Sequence, residues 1–231
     1  MRPSQRFLTR TAVLVSACDP DDTTNGILLT DPIDCLPFSL QNGLLAFNPM
    51  SSGSLEDATD MEYHLSNPTS ASPTSDRGGN PQCAFSFNAQ NNECLKYDDP
   101  SFMDGLNAIT ISLWFQPDSA SGGQLQAIVC RGDGGGHCPN LVDYYSYQWD
   151  HLPAIYENGN YQLWMDGMPT ESVMFPGICP NPEVMEDIGA LYIGRTYSGK
   201  IDDVAIYNRT LNPAEIQQLR TIWTTSKHHI Q

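Results

Sequence analysis

Basic residues are scarce in this chain. Eleven Lys and Arg stand against 27 Asp and Glu, for a formal net charge of -16. A surface of that sign repels nucleic acid and anionic lipid headgroups, which excludes a nucleic-acid partner. Acidic glycans make poor ligands for it unless a cation bridges the two. No GxGxxG or GxxxxGK[ST] motif occurs, so nucleotide cofactors have no support. No CxxC pair occurs, and the irregular cysteine spacings argue against a structural zinc. Beyond the N-terminus no apolar run approaches membrane-spanning length. The five histidines, His64, His137, His151, His228 and His229, lie in no GxSxG or papain-like context. Glu183, Glu186 and Asp187 have loop or helical spacing, and Asp202 and Asp203 are neighbours that a regular strand would point to opposite faces. Neither arrangement places two carboxylates on one strand face.

What is present reads as β structure. The 18 Gly and 17 Pro are spread between short apolar runs, which suits many turns and few long helices. Strands are predicted near 43–47, 83–88, 94–97, 108–116, 125–131, 141–149, 152–157, 161–166, 190–194 and 201–207. In the fifth of these counted from 83, Tyr145, Tyr147 and Trp149 share a face. Ile111, Leu113 and Phe115 share one face of their strand, and Ser112 and Trp114 the other. From Pro213 to about Thr224 the pattern turns helical, with Ile216, Leu219 and Trp223 on the packing side. Asn212 before Pro213, with Glu215 three residues on, forms a capping-box pattern. Residues 48–80 form a long polar loop, of the kind that is functional or carries local structure.

Several of these pieces, in order, resemble a known family. Asp76-Arg77-Gly78-Gly79-Asn80 followed by Ala84-Phe85-Ser86-Phe87-Asn88, Thr110 to Phe115, Trp149-Asp150-His151 leading to Tyr161 through Gly167, Leu191-Tyr192-Ile193-Gly194, and Ser198 through Leu219 are similar to the successive elements of laminin-G-like, concanavalin A-like jelly rolls of bacterial secreted and surface proteins. The resemblance covers roughly Gly43 to Leu219. It implies an all-β, two-sheet concanavalin A-like jelly-roll sandwich with a short C-terminal helix packed on the rim. It also implies a binding module rather than an enzyme, the usual role of such sandwiches, and names no ligand, because a fold does not fix function.

The N-terminus resembles a lipoprotein signal. Arg2, Arg6 and Arg10 supply a basic region, Thr11 to Ala17 a short apolar one, and Val15-Ser16-Ala17-Cys18 is similar to a lipobox. Asp19, Asp21 and Asp22 follow, similar to an acidic export tag. Residues 1–18 are thus expected as the signal region ending at a lipidated Cys18, 19–42 as a tether, and 43–231 as the laminin-G-like domain. The expected location is the outer membrane or cell surface as a lipoprotein, or otherwise secretion. The membrane is met only through the lipid anchor.

Six cysteines remain: Cys35, Cys83, Cys94, Cys130, Cys138 and Cys179. An even count in an exported chain suggests disulfides. Cys83 and Cys94 flank an expected hairpin and Cys130 and Cys138 a Gly-rich turn. Those two pairs leave Cys35 to bridge Cys179.

Two binding features complete the reading. Calcium is the one credible cofactor, since the family often holds one ion where the first long loop meets the final strand. Asp57 and Asp202 are the candidate ligands. Asp202 shares parity with Val204 and Ile206 and is expected to point inward, toward calcium or as a cap on backbone N–H groups. Tyr145, Tyr147 and Trp149 are either a sugar-stacking platform or sandwich core. The expected function is a cell-surface module recognising a glycan or partner protein, with calcium assisting. A structural accessory subunit of an outer-membrane complex and a glycoside hydrolase are the alternatives. The oligomeric state is open.

Overall fold

The computed structural model describes residues 33, 36–118, 126–132, 140–141, 148–170 and 189–224. Thirteen strands and two α-helices are found among them: α1 (Phe38–Gln41), β1 (Leu44–Asn48), β2 (Ser72–Thr74), β3 (Ala84–Phe87), β4 (Leu95–Tyr97), β5 (Ala108–Pro117), β6 (Gln126–Ala127), β7 (Val129–Arg131), β8 (Asn140–Leu141), β9 (Asp150–Glu157), β10 (Asn160–Met165), β11 (Met168–Pro169), β12 (Leu191–Ile193), β13 (Gly199–Tyr207) and α2 (Pro213–Thr224). A large antiparallel sheet runs in the order β11-β10-β9-β5-β13-β3-β2, with β1 pairing to the far half of β13. A three-stranded sheet, β4-β12-β7, lies against it, and β6 and β8 pair separately. The architecture is the expected jelly-roll sandwich.

Strand period explains the layering. Ile109, Ile111, Leu113 and Phe115 of β5 enter the core between the sheets, where Leu95, Tyr97, Val129, Leu191 and Ile193 of the small sheet meet them. Trp114 emerges on the other face of β5. There a second core forms from Leu36, Leu40, Leu44, Phe47, Ile155, Trp164, Tyr207, Ile216, Leu219 and Ile222. Helix α2 therefore covers the outer face of the large sheet and is not confined to a rim. Ile222, not predicted from the period, joins Ile216 and Leu219 in the packed stripe. Full burial of each such side chain stabilises by about 1.5–3 kcal/mol.

The start of α2 forms as its sequence implies. Asn212 Oδ1 accepts the N–H groups of Ala214 (2.9 Å) and Glu215 (3.1 Å), and Glu215 Oε2 accepts the Asn212 N–H at 2.9 Å. Two hairpins meet at β10. Asn158-Gly159 and Asp166-Gly167 all have positive φ, the geometry in which a two-residue turn matches strand twist.

Three expectations change. The end of the proposed tether, residues 36–42, is part of the domain: α1 places Leu36 and Leu40 in the second core because they supply apolar cover for the sheet. Cys83 and Cys94 are not bridged to one another. Cys83 precedes β3 in the large sheet and Cys94 precedes β4 in the small one, so the chain between them crosses between sheets through the 3-10 turn Ala89–Asn91 and forms no hairpin. Cys130 is disulfide-bonded. Cys18, Cys35, Cys138 and Cys179 lie outside the described residues.

Candidate functional site

The Asp76–Asn80 loop is closed by its first residue. Asp76 Oδ1 accepts the N–H groups of Gly78 (2.8 Å) and Asn80 (2.9 Å), and Oδ2 accepts the Asn80 amide at 3.0 Å. This loop delivers Arg77 into the molecule. Its guanidinium donates to Asp202 and, at 2.6 Å, to Asp203, and lies 4.8 Å from the Trp114 ring centre. The three side chains are 6%, 1% and 3% exposed.

One guanidinium can hold two adjacent carboxylates because β13 is bulged there. Asp202 pairs with Trp114 and Ala205 with Ser112, so the register shifts between them, and Asp203 takes a left-handed φ of 49°. The bulge also inverts parity. Ile201 and Val204 both enter the inter-sheet core, whereas Asp202 sits with Trp114 on the helix-covered face. Asp202 is therefore not on the Val204–Ile206 face, and its partner is an arginine. Burial, then the adjacent Asp203, pushes the Asp202 carboxyl well above the usual range against the pull of Arg77. Burial raises Asp203 too. Asp202 Oδ1 and Trp114 Nε1 are buried without a hydrogen-bond partner among the described residues.

Beside this cluster Ser112 Oγ and His151 Nε2 are 2.8 Å apart, the spacing of an activated nucleophile. Both are fully buried, and α2 packs over that face. Burial, then Arg77 and Arg220, lowers the imidazole to about 3, so it stays neutral. Trp114 lies 5.2 Å away, ring centre to ring centre. Buried at 0% exposure each, the pair acts as a hydrogen bond between β5 and β9.

Asp57 has a different role. Its Oδ1 accepts the N–H groups of Phe47 (2.8 Å) and Thr59 (3.0 Å); its Oδ2 accepts the Thr59 hydroxyl (2.6 Å) and the Tyr63 N–H (3.0 Å). Four donors occupy one carboxylate, which ties the 57–63 loop to β1. A cation needs those lone pairs. Asp202 is likewise engaged by Arg77. The described residues hold no group of three or more His, Cys, Asp or Glu fit for a metal. The two residues do not fit a shared calcium, and no function is derived through one.

The anchored loop presents aromatics at one end of the sandwich. Tyr63 stacks on Phe102 of the 3-10 turn Ser101–Met103, with ring centres 4.1 Å apart and planes 26° from parallel. Tyr97 meets Phe102 edge-on at 5.7 Å, and its buried hydroxyl donates to Asn48. Tyr63 and Phe102 stay half-buried and Met61 is 56% exposed. A separate cavity of about 40 Å³ lies between the sheets, lined by residues including Met103, Arg131, Tyr156 and Tyr161.

Of the sequence-predicted aromatics, Trp149 is half-buried against the second core, while Tyr145 and Tyr147 lie outside the described residues. Sequence reasoning missed Arg77, Tyr63 and Phe102. The Asp76–Asn80 motif was visible, but the destination of its arginine was not.

Known proteins agree with this geometry. The family model for the concanavalin A-like lectin/glucanases superfamily matches residues 141–217. No curated protein sequence matches the chain significantly. Among solved structures, domain 4 of AbnA, an extracellular arabinanase of Geobacillus stearothermophilus, in complex with arabinotriose, is similar at a TM-score of 0.59 and 16% identity, covering 77% of this chain and 98% of that one. The Trypanosoma rangeli sialidase aligns at 0.57 and 16% identity, over 78% of this chain and 32% of its own. Botulinum neurotoxin type C, whose cell entry is dependent upon interaction with two ganglioside molecules, aligns at 0.56 and 11% identity, over 79% of this chain and 52% of that chain. The chain thus spans about half the toxin chain and a third of the sialidase. At these identities the likeness establishes the fold.

Proposed function

We propose that this protein is a non-catalytic binding module whose ligand is a glycan, held at the cell surface by a lipid on Cys18. The observation that carries the binding reading is the use made of five of the six buried carboxylates among the described residues. Asp57 and Asp76 cap loop N–H groups, and Asp202 and Asp203 hold Arg77. Glu93 accepts from the Asn88 N–H (2.8 Å), the Ser70 hydroxyl (2.9 Å) and the Asn91 amide (3.2 Å). Acids spent on folding in this way are not poised across a cleft as a hydrolytic pair. The arabinotriose-bound and ganglioside-dependent relatives of this fold support a glycan as the ligand class. The VSAC junction supports the anchor.

The test is a glycan-array screen followed by calorimetry on the mature protein. Binding without release of new reducing ends is expected; steady hydrolysis counts against the proposal, as does silence across the array. For the anchor, Cys18→Ser is expected to move the protein from the membrane fraction to the medium, and a variant that stays with the membrane refutes it.

A further inference from the structure

We infer that the end of the sandwich built from the 57–63 loop and the Ser101–Met103 turn is the sugar-stacking site, and that it takes an uncharged glycan. This rests on the binding-module reading above and names its site and ligand class. A sugar ring presents a flat face of C–H bonds, which is attracted to the electron-rich face of an aromatic ring. Such a contact is useful only if the ring is held still beforehand. Tyr63 is held from both ends. Its backbone N–H is fixed by Asp57, and the chain before it is turned by Glu62 at a left-handed φ of 59°, with the His64 N–H donating to the Glu62 carbonyl at 3.0 Å. Its ring rests on Phe102, Phe102 rests on Tyr97, and Tyr97 is buried and tied to Asn48 on β1. The chain of three rings runs from the core to the surface. Phe102 covers one face of Tyr63; both of these rings are half-buried, whereas Tyr97 is buried.

Charge selects among glycans. The segment that carries Tyr63 also carries Glu56, Asp60 and Glu62, all exposed, and Asp99 precedes the Phe102 turn. Carboxylates are acceptors only, which suits the hydroxyl donors of a neutral sugar and repels uronates, sialates and sulfates. Lys96, close in sequence to this turn, pairs with Asp98, and the buried Arg131 of β7 pairs with Asp104 just after it. The whole chain, at -16, adds to the bias.

Calorimetry on the full chain uses arabinotriose, xylotriose and cellotriose as neutral probes and trigalacturonate and 3′-sialyllactose as acidic ones. Binding of at least one neutral probe over both acidic ones is expected. Tyr63→Ala should weaken it about tenfold or more, the loss typical of an anchoring aromatic. Tyr63→Leu keeps apolar packing on Phe102 but removes the flat ring, so it should lose as much while melting near wild type. Tyr63→Phe should retain binding. Undiminished binding by Tyr63→Leu, or a loss on Trp149→Phe instead, overturns this site and leaves the module reading standing. Preference for the acidic probes overturns the ligand class. Failure of the wild type on a broad glycan array sinks both.

Discussion

Arg77→Met tests the physical account of the sheet's covered face. Methionine keeps most of the aliphatic volume and removes the charge. Asp202 and Asp203, almost wholly buried, would lose the guanidinium they share. Removing one partner from a buried ion pair costs about 3–5 kcal/mol, because the remaining charge is left desolvated. The contact with Trp114 adds about 0.5–2 kcal/mol. Against a domain stability of about 5–15 kcal/mol, the variant should be close to unfolding at neutral pH.

The pH dependence distinguishes this cause from lost packing. Burial, then mutual repulsion, already holds the Asp202 carboxyl above its ordinary value, and Arg77 works against both. Removing Arg77 raises both carboxyls further. A group whose folded value is raised contributes stability that is complete below its unfolded value of about 3.9 and lost as pH rises through the folded value. The gap between wild type and Arg77→Met should therefore be small near pH 4.5 and full at pH 8. Asp202→Asn should do the reverse of harm: Arg77 keeps Asp203, the repulsion disappears, and stability at pH 8 is unchanged or higher. Urea unfolding followed by tryptophan fluorescence at both pH values measures all three proteins. A gap below about 1 kcal/mol at pH 8, or one equal at the two pH values, would refute the reasoning.

Three further outcomes follow from single sites. Asp57→Ala frees four donors and should cost about 3 kcal/mol in urea unfolding, while calcium and chelator leave the wild-type melting temperature in place; a chelator-induced fall of many degrees would mean these acids hold a cation after all. Non-reducing peptide mapping should find no Cys83–Cys94 bridge and should find Cys94 alkylated after denaturation; a linked 83–94 peptide is the contrary result. Asn212→Ala should cost about 1 kcal/mol through the lost cap of α2, and a neutral outcome would show that packing alone sets the start of that helix.

The central strands were legible because alternate positions enter different layers, and in β5 both faces are buried. Ile111, Leu113 and Phe115 against Ser112 and Trp114 divided as their positions imply. The cap of α2 was legible because all its members lie within four residues. What covers the outer face was not legible. Leu36 and Leu40 sit in an acidic, Pro-bearing stretch that reads as linker, and only the unsatisfied apolar face of the large sheet makes them core. The aromatic rim was hidden for a related reason: Tyr63 and Phe102 belong to loops, where no period marks a facing side, and they meet only because Asp57 draws its loop onto β1.

The Asp202–Asp203 pair shows how a local irregularity can defeat a correct rule. Two residues in a regular strand do face opposite ways, and Val204 and Ile206 do line the core. Yet the run Ile201-Asp202-Asp203-Val204 contains one residue more than its partner β5 can match. Aspartate tolerates the left-handed conformation better than most non-glycine residues, which makes Asp203 a natural place to absorb the excess. The absorbed residue carries a charge onto the face of its neighbour's, and a doubled buried charge needs a cation. That cation comes from a loop 125 residues earlier in the chain, already closed by Asp76 so that Arg77 projects from it. The bulge, the capped loop and the arginine are thus one structural unit. Losing Arg77 leaves both buried carboxylates without the cation that bridges them, whereas neutralising Asp202 alone leaves Asp203 matched to it.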